Sequence, residues 1–204
     1  MLTVVLVVQS VSAEVFTYWN FNEYDGDAHT ISANYGSGVL LINPEWDSSD
    51  LGTDVGTTKN VLFGDPAGTA LNLLNHENNG RWIDWQIDTT GYQGLIMSFV
   101  IRSTNTGFIE NNLSWSVDGG TTFTEFGTFW GGNATWPVLS FNLSDYTELD
   151  NRSNVIMRFT MGSATSTLGS TRIDNMKFAG GIIPSPGTLA LLVLTGLSAR
   201  RRRR

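Results

Sequence analysis

The sequence has no cysteine, which removes disulfides, thiolate metal sites and cysteine nucleophiles. It has only two histidines, His29 and His76, and neither stands at a metal-ligand spacing or beside a nucleophile motif. Charged residues make up only 15% of the chain. Basic residues are scarcer than the total suggests, because five of the 12 are Arg200 to Arg204, leaving seven against 19 acidic residues. So acidic a body repels phosphate backbones and excludes nucleic acid as a natural partner. Helical patterning is missing as well: nothing between Glu14 and Gly180 sustains apolar residues at a 3.6-residue period.

What remains is rich in glycine, aromatic, β-branched, Thr, Ser and Asn residues, a mixture that favours strands and turns. The 204 residues suit one domain plus targeting segments. Ten segments read as strands: Val15–Asn22, Val39–Ile42, Ala70–Leu74, Trp82–Asp88, Leu95–Arg102, Leu113–Val117, Thr122–Thr128, Val138–Leu143, Val155–Met161 and Thr171–Phe178. Ile83, Trp85 and Ile87 alternate with Asp84, Gln86 and Asp88, and Val155, Met157, Phe159 and Met161 share one face. Half-buried antiparallel strands of this kind predict an all-β fold, a two-sheet sandwich of jelly-roll or concanavalin-like type. The polar stretch Glu45 to Asn60 reads as a long loop, and Asp25-Gly26-Asp27 as a turn.

The two ends differ from the body. Leu2 to Val8 is apolar, and Val11-Ser12-Ala13 places small residues ahead of Glu14, so residues 1–13 read as a signal peptide in helical form. A cysteine-free exported domain leans towards a bacterial source. At the other end Pro184-Ser185-Pro186-Gly187 breaks regular structure. Thr188 to Leu197 is almost wholly apolar, and Arg200, Arg201, Arg202, Arg203 and Arg204 follow. Counted from Ile182, this is a hydrophobic helix at the short edge for crossing a bilayer, with its basic end on the cytoplasmic side. Residues 14–181 are then the domain and 182–204 the tail.

This three-part tail resembles the PEP-CTERM sorting signal of bacteria that make extracellular polysaccharide, with Ser185 in place of the family's Glu. The resemblance covers about the last 23 residues. It implies transient membrane anchoring, handling by an exosortase-type enzyme, and display at the cell surface or outside the cell. It implies no particular activity for the domain.

Within the body, Ser116-Val117-Asp118-Gly119-Gly120-Thr121-Thr122-Phe123 looks like an Asp-box, a hairpin in which Asp118 accepts backbone N–H bonds. Thr171-Arg172-Ile173-Asp174-Asn175-Met176-Lys177-Phe178 resembles the last strand of many secreted jelly rolls, which closes the sandwich against the N-terminal strand. In related carbohydrate-binding modules an Asp at this place ligates structural calcium, so the resemblance offers Asp174 as a calcium ligand, and no other cofactor is expected. The alternative for Asp174 is a hydrogen bond to a turn.

Trp130 and Trp136 flank Gly131-Gly132-Asn133. Exposed, the two rings would stack on sugar faces while Asn133 and Glu125 bond to hydroxyls; buried, they would be core. No catalytic residue can be nominated, because no carboxylate pair or strand motif of a glycoside hydrolase stands out. The expected function is therefore a non-catalytic exported surface or matrix protein associated with exopolysaccharide. A carbohydrate-binding module with a defined glycan, and a polysaccharide-active hydrolase without a visible motif, remain as alternatives.

Overall fold

A computed structural model describes residues 13–132 and 135–184. The signal segment, Asn133, Ser185 to Gly187, the apolar run after them and Arg200 to Arg204 lie outside the described residues.

Among the described residues thirteen strands follow one another: β1 (Glu14–Trp19), β2 (Thr30–Ser32), β3 (Tyr35–Gly36), β4 (Gly38–Ile42), β5 (Leu51–Val55), β6 (Thr69–Leu74), β7 (Trp82–Ile87), β8 (Tyr92–Ser103), β9 (Glu110–Ser116), β10 (Thr124–Trp130), β11 (Val138–Asn142), β12 (Val155–Thr160) and β13 (Ser170–Ile182). The described helical elements are three-residue 3-10 turns, and none is long and apolar enough to cross a membrane. One sheet runs β11-β8-β13-β1-β3, with the β6-β5 pair also attached to β13. The other runs β10-β9-β12-β7-β4-β2. Every pairing is antiparallel. From β6 onward the chain passes repeatedly from one sheet to the other, as a jelly-roll sandwich does.

All ten strands expected from alternation are present. Ile83, Trp85, Met157, Phe159, Leu113, Trp115 and Phe129 turn inward from one sheet and meet Trp19, Leu71, Leu73, Met97, Phe99, Ile101 and Phe178 from the other. The aromatic rings interlock edge to face, as in Trp19–Trp85 at 5.2 Å and Phe129–Phe159 at 4.8 Å. Three short strands escape the pattern. β2 and β3 are edge strands of three and two residues, too short to show a period. β5 corrects the reading of Glu45–Asn60 as a loop: after a 3-10 turn at Ser48–Asp50, Leu51, Thr53 and Val55 run antiparallel to β6.

The expected closure of the last strand on the first is observed. β13 pairs with β1 from Glu14↔Gly180 to Trp19↔Met176. Its other half pairs with β6, from Ser170↔Leu74 to Ile173↔Leu71. The change of partner falls at Asp174-Asn175, where β13 also bulges against β8 and Asn175 adopts φ +49°. β13 runs on to Ile182, and Ile183 N–H bonds to Gly91 O at 2.7 Å, so the first residues assigned to the tail belong to the sandwich.

Candidate functional site

Where β13 exchanges β6 for β1, the sheet leaves polar backbone without a ladder partner on one side. The segment from Gly56 to Gly68 fills that place. The Asp174 carboxylate accepts Thr57 N–H and Asn175 N–H, both at 2.8 Å. Asn175 Nδ2 donates to Thr57 O (2.7 Å) and Lys59 O (2.9 Å). Asn60 Nδ2 donates in turn to Asn175 O at 2.8 Å and to Ser98 Oγ at 3.2 Å. From the first strand, Tyr18 Oη donates to Asn175 Oδ1 at 2.6 Å. Gly56 is needed because a Cβ there would lie 2.2 Å from Ala67 O and 2.7 Å from an Asp174 carboxylate oxygen.

Asp174 is thus a latch for a loop, fully buried. Burial pushes its carboxyl up to about 7, and the two N–H donors pull the other way. Calcium would need six to eight oxygen ligands. Here both carboxylate oxygens already accept N–H bonds, and Asn175 Oδ1 accepts the Tyr18 hydroxyl. Among the described residues no group of three His, Asp or Glu gathers to hold a metal.

The latched loop ends in a tight turn. Asp65 N–H bonds to Leu62 O at 3.2 Å, and the central residues Phe63 and Gly64 have φ of +58° and +78°. Two positive φ values at these positions make the turn of primed type, which Asn and Gly adopt cheaply and phenylalanine does not. The ring held there is 76% exposed. It meets Tyr35 of β3 edge to face, with centroids 5.2 Å apart. An exposed aromatic in a left-handed conformation is strain retained at the surface, where packing does not explain it.

Phe63 and Tyr35 form one wall of a cleft of about 640 Å³ at the sandwich edge where β2 and β3 approach each other. That volume lies in the range of small-ligand sites. Tyr18, Asn20 and Tyr24 line it further, together with the carboxylates Glu23, Asp25 and Asp65. Asn20 is fixed on both sides: its N–H bonds to Asn34 Oδ1 and its Nδ2 to Asp65 Oδ2, each at 2.8 Å. Burial and the neighbouring Asp25 and Asp27 raise the Tyr24 hydroxyl well above its ordinary value, so it is a neutral donor at all working pH. Flat rings beside fixed amide and carboxylate groups suit a polyhydroxylated ligand, whose apolar faces stack and whose hydroxyls bond at the rim.

The tryptophans singled out in the sequence lie elsewhere. Phe129 points into the core and Trp130, next in β10, points out and is 59% exposed. Trp136 is half-buried, and its carbonyl accepts the Lys59 ammonium at 2.9 Å. Glu125 is exposed on β10. Pro184 is exposed just past the last strand.

The Asp-box is a fold element. Asp118 Oδ1 accepts from Thr121 N, Thr122 N and Ser116 Oγ, and Oδ2 from Thr122 Oγ1. These donors hold its carboxyl far below the usual carboxylate range. The turn brings Phe123 over Arg158, whose guanidinium lies between the Phe123 ring (3.8 Å) and Trp82 (4.5 Å) and bonds Asp84 twice at 2.7 Å.

The cleft has no signature in the sequence as a whole, since its walls come from segments about 45 positions apart. One local signal was legible: Phe63-Gly64-Asp65-Pro66 sets a large apolar ring in a turn.

No family model matches this chain, and no curated protein matches it. Solved structures of similar shape exist. The TmCBM61 module bound to β-1,4-galactotriose is 8% identical, with 78% of this chain and 92% of that one covered and a TM-score of 0.46. The CBM22-1 xylan-binding domain from Paenibacillus barcinonensis is 10% identical over 86% of this chain and all of its own, with a TM-score of 0.47. The K2 cleaved adhesin domain of Lys-gingipain is 10% identical, covering 83% and 99%, with a TM-score of 0.48. At these values the likeness concerns general architecture, and the fold assignment rests on the strand pairing itself.

Proposed function

We propose that the sandwich is a non-catalytic glycan-binding module of an exported protein and that the Tyr35–Phe63 cleft is its binding site. The observation that carries this reading is the exposure of Phe63 in a strained turn, braced by a loop whose anchors are buried. Among the roles open from the sequence, this favours a carbohydrate-binding module over a purely structural surface protein, because a smooth exterior would need no such brace. Trp130 remains a further exposed ring, on β10 and away from the cleft lining.

The module is carried, in this reading, by export and sorting segments. The Pro184-Ser185-Pro186-Gly187 motif, the apolar run and Arg200 to Arg204 form a PEP-CTERM-like tail that enters the membrane and is handled by an exosortase-type enzyme. The domain is then displayed at the cell surface or released, and a polysaccharide is its partner. Replacing Arg200–Arg204 by Ser should mislocalise the protein; unchanged surface display defeats that part of the reading.

The binding claim is tested by titration calorimetry of the purified domain against hexasaccharides of xylose, glucose, glucosamine, N-acetylglucosamine and galacturonic acid. Binding without new reducing ends, abolished by Phe63→Ala and kept by Trp130→Ala, is the expected result. Binding lost on Trp130→Ala instead would move the site to β10, release of reducing ends would make the protein a hydrolase, and no binding at all would remove the proposal.

A further inference from the structure

Resting on the reading of the cleft as a glycan site, we infer that its ligand is a cationic amino-sugar polymer, one whose residues carry free ammonium groups. Three carboxylates, Glu23, Asp25 and Asp65, share the cleft with the exposed rings of Tyr35 and Phe63. Among the described residues no Lys, Arg or His lines it. Five of the domain's seven basic side chains are committed elsewhere, Arg158 to Asp84, Arg172 to Asp54, Lys59 to Trp136 O, Arg152 to Glu148 O and Arg81 to Asn78, and the other two, Arg102 and Lys177, lie on strands β8 and β13 outside the lining.

Charge sign and ring geometry converge on one chemistry. A hexosamine residue presents an apolar ring face to an aromatic side chain and an ammonium to a carboxylate or to the edge of a π-cloud. Glu23 and Asp25 stand exposed on the rim, where they meet an incoming chain, while Asp65 is half-buried and fixed by Asn20. The surplus of 19 acidic over seven basic residues outside Arg200–Arg204 extends the same sign over the whole module. A uronic-acid or sulfated polymer would enter against that field, and a neutral one would gain nothing from it.

The experiment compares hexamers of glucosamine, N-acetylglucosamine, xylose and galacturonic acid by calorimetry, using the full-length protein and its Glu23→Gln, Asp65→Asn and Phe63→Ala variants. The glucosamine hexamer should bind about tenfold or more tighter than its N-acetylated counterpart at low salt, a difference of one ion-pair-sized contribution. Its affinity should fall several-fold as salt rises from about 0.05 to 0.5 M. Glu23→Gln and Asp65→Asn should each erase most of that preference while leaving the weak neutral binding in place. Asp65→Asn keeps an acceptor for Asn20, and Glu23 accepts no hydrogen bond among the described residues, so both variants should fold. If neutral hexamers bind as tightly as the glucosamine hexamer, or the galacturonate hexamer binds tightest, the inference fails while the cleft remains a glycan site. If binding of every hexamer survives Phe63→Ala, or none binds, the cleft itself is wrongly assigned and both fall.

Discussion

Tyr18 Oη and Asn175 Oδ1 lie 2.6 Å apart across 157 positions of sequence, and this bond joins the first strand to the residue at which the last strand changes partner. Both groups are buried. Tyr18→Phe keeps the ring and leaves the Asn175 oxygen without its donor. An unmet buried acceptor costs about 1–3 kcal/mol. Urea denaturation should show a loss in that range with an unchanged slope; a loss below about 0.5 kcal/mol would mean the network tolerates the gap.

The Asp174 carboxyl gives stability a definite pH dependence. Its folded value of about 7 stands above the ordinary carboxyl value of 3.8, because burial disfavours the charge. The folded state therefore holds a proton that the unfolded chain has lost, and stability should fall as pH rises from about 4 to about 7. The full effect is at most about 4 kcal/mol. Asp174→Asn should flatten this slope relative to the parent. Asp118 acts in a separate window: its depressed carboxyl favours the fold above pH 4 and loses that contribution only in stronger acid. Equal slopes for parent and Asp174→Asn between pH 4 and 7 would rule out the assignment.

Arg158 is held between two rings and bonded twice to Asp84, which is nearly inaccessible. Arg158→Ala should cost roughly 3 kcal/mol, since it strands a buried carboxylate. Removing both partners with Asp84→Ala and Arg158→Ala should cost less than the two single losses added together. A strictly additive cycle in thermal unfolding would show the pair to be uncoupled.

Gly56→Ala should destabilise the domain by about 1–3 kcal/mol, because the added methyl collides with Ala67 O and Asp174. Gly52 in β5 has nothing within 4 Å of a built Cβ and supplies the control, with Gly52→Ala neutral or slightly stabilising. Similar melting points for the two variants would show that the loop yields without cost.

Phe63→Gly separates strain from packing. A left-handed phenylalanine costs about 1–2 kcal/mol, and glycine gives back part of that in chain entropy. Stability should stay within about 1 kcal/mol of the parent or rise, while glycan binding is lost. A large loss of stability would instead make Phe63 a packing residue.

Much of this architecture is legible from alternation alone. Ile83, Trp85 and Ile87 against Asp84 and Gln86 define β7 correctly, down to the face that Arg158 meets. Phe129 inward and Trp130 outward are not legible, because a bulge between Glu125 and Gly127 resets the alternation of β10 before them. Strands of two or three residues, such as β2 and β3, carry no period to read, and Gly52 and Asp54 disguise β5. The Asp174-Asn175 pair stands out as a motif, but its partners Thr57, Lys59 and Tyr18 are set by a change of strand neighbour that no local pattern encodes. The cleft is hidden for the same reason, since Tyr35 and Phe63 meet only through tertiary structure.

The pairing of Glu14 with Gly180 has a mechanical consequence. It places the start of β1 and the exit of β13 at one pole of the sandwich, while Tyr18 and Asn20 open into the cleft near the other, about 17 Å away along five residues of strand. On the proposed reading of the cleft, a pull between a bound glycan and Ile182 runs parallel to the strands. The β1–β13 hydrogen bonds lie across that direction and bear the load together, in shear, so the module is built to resist traction along its long axis better than peeling from its side.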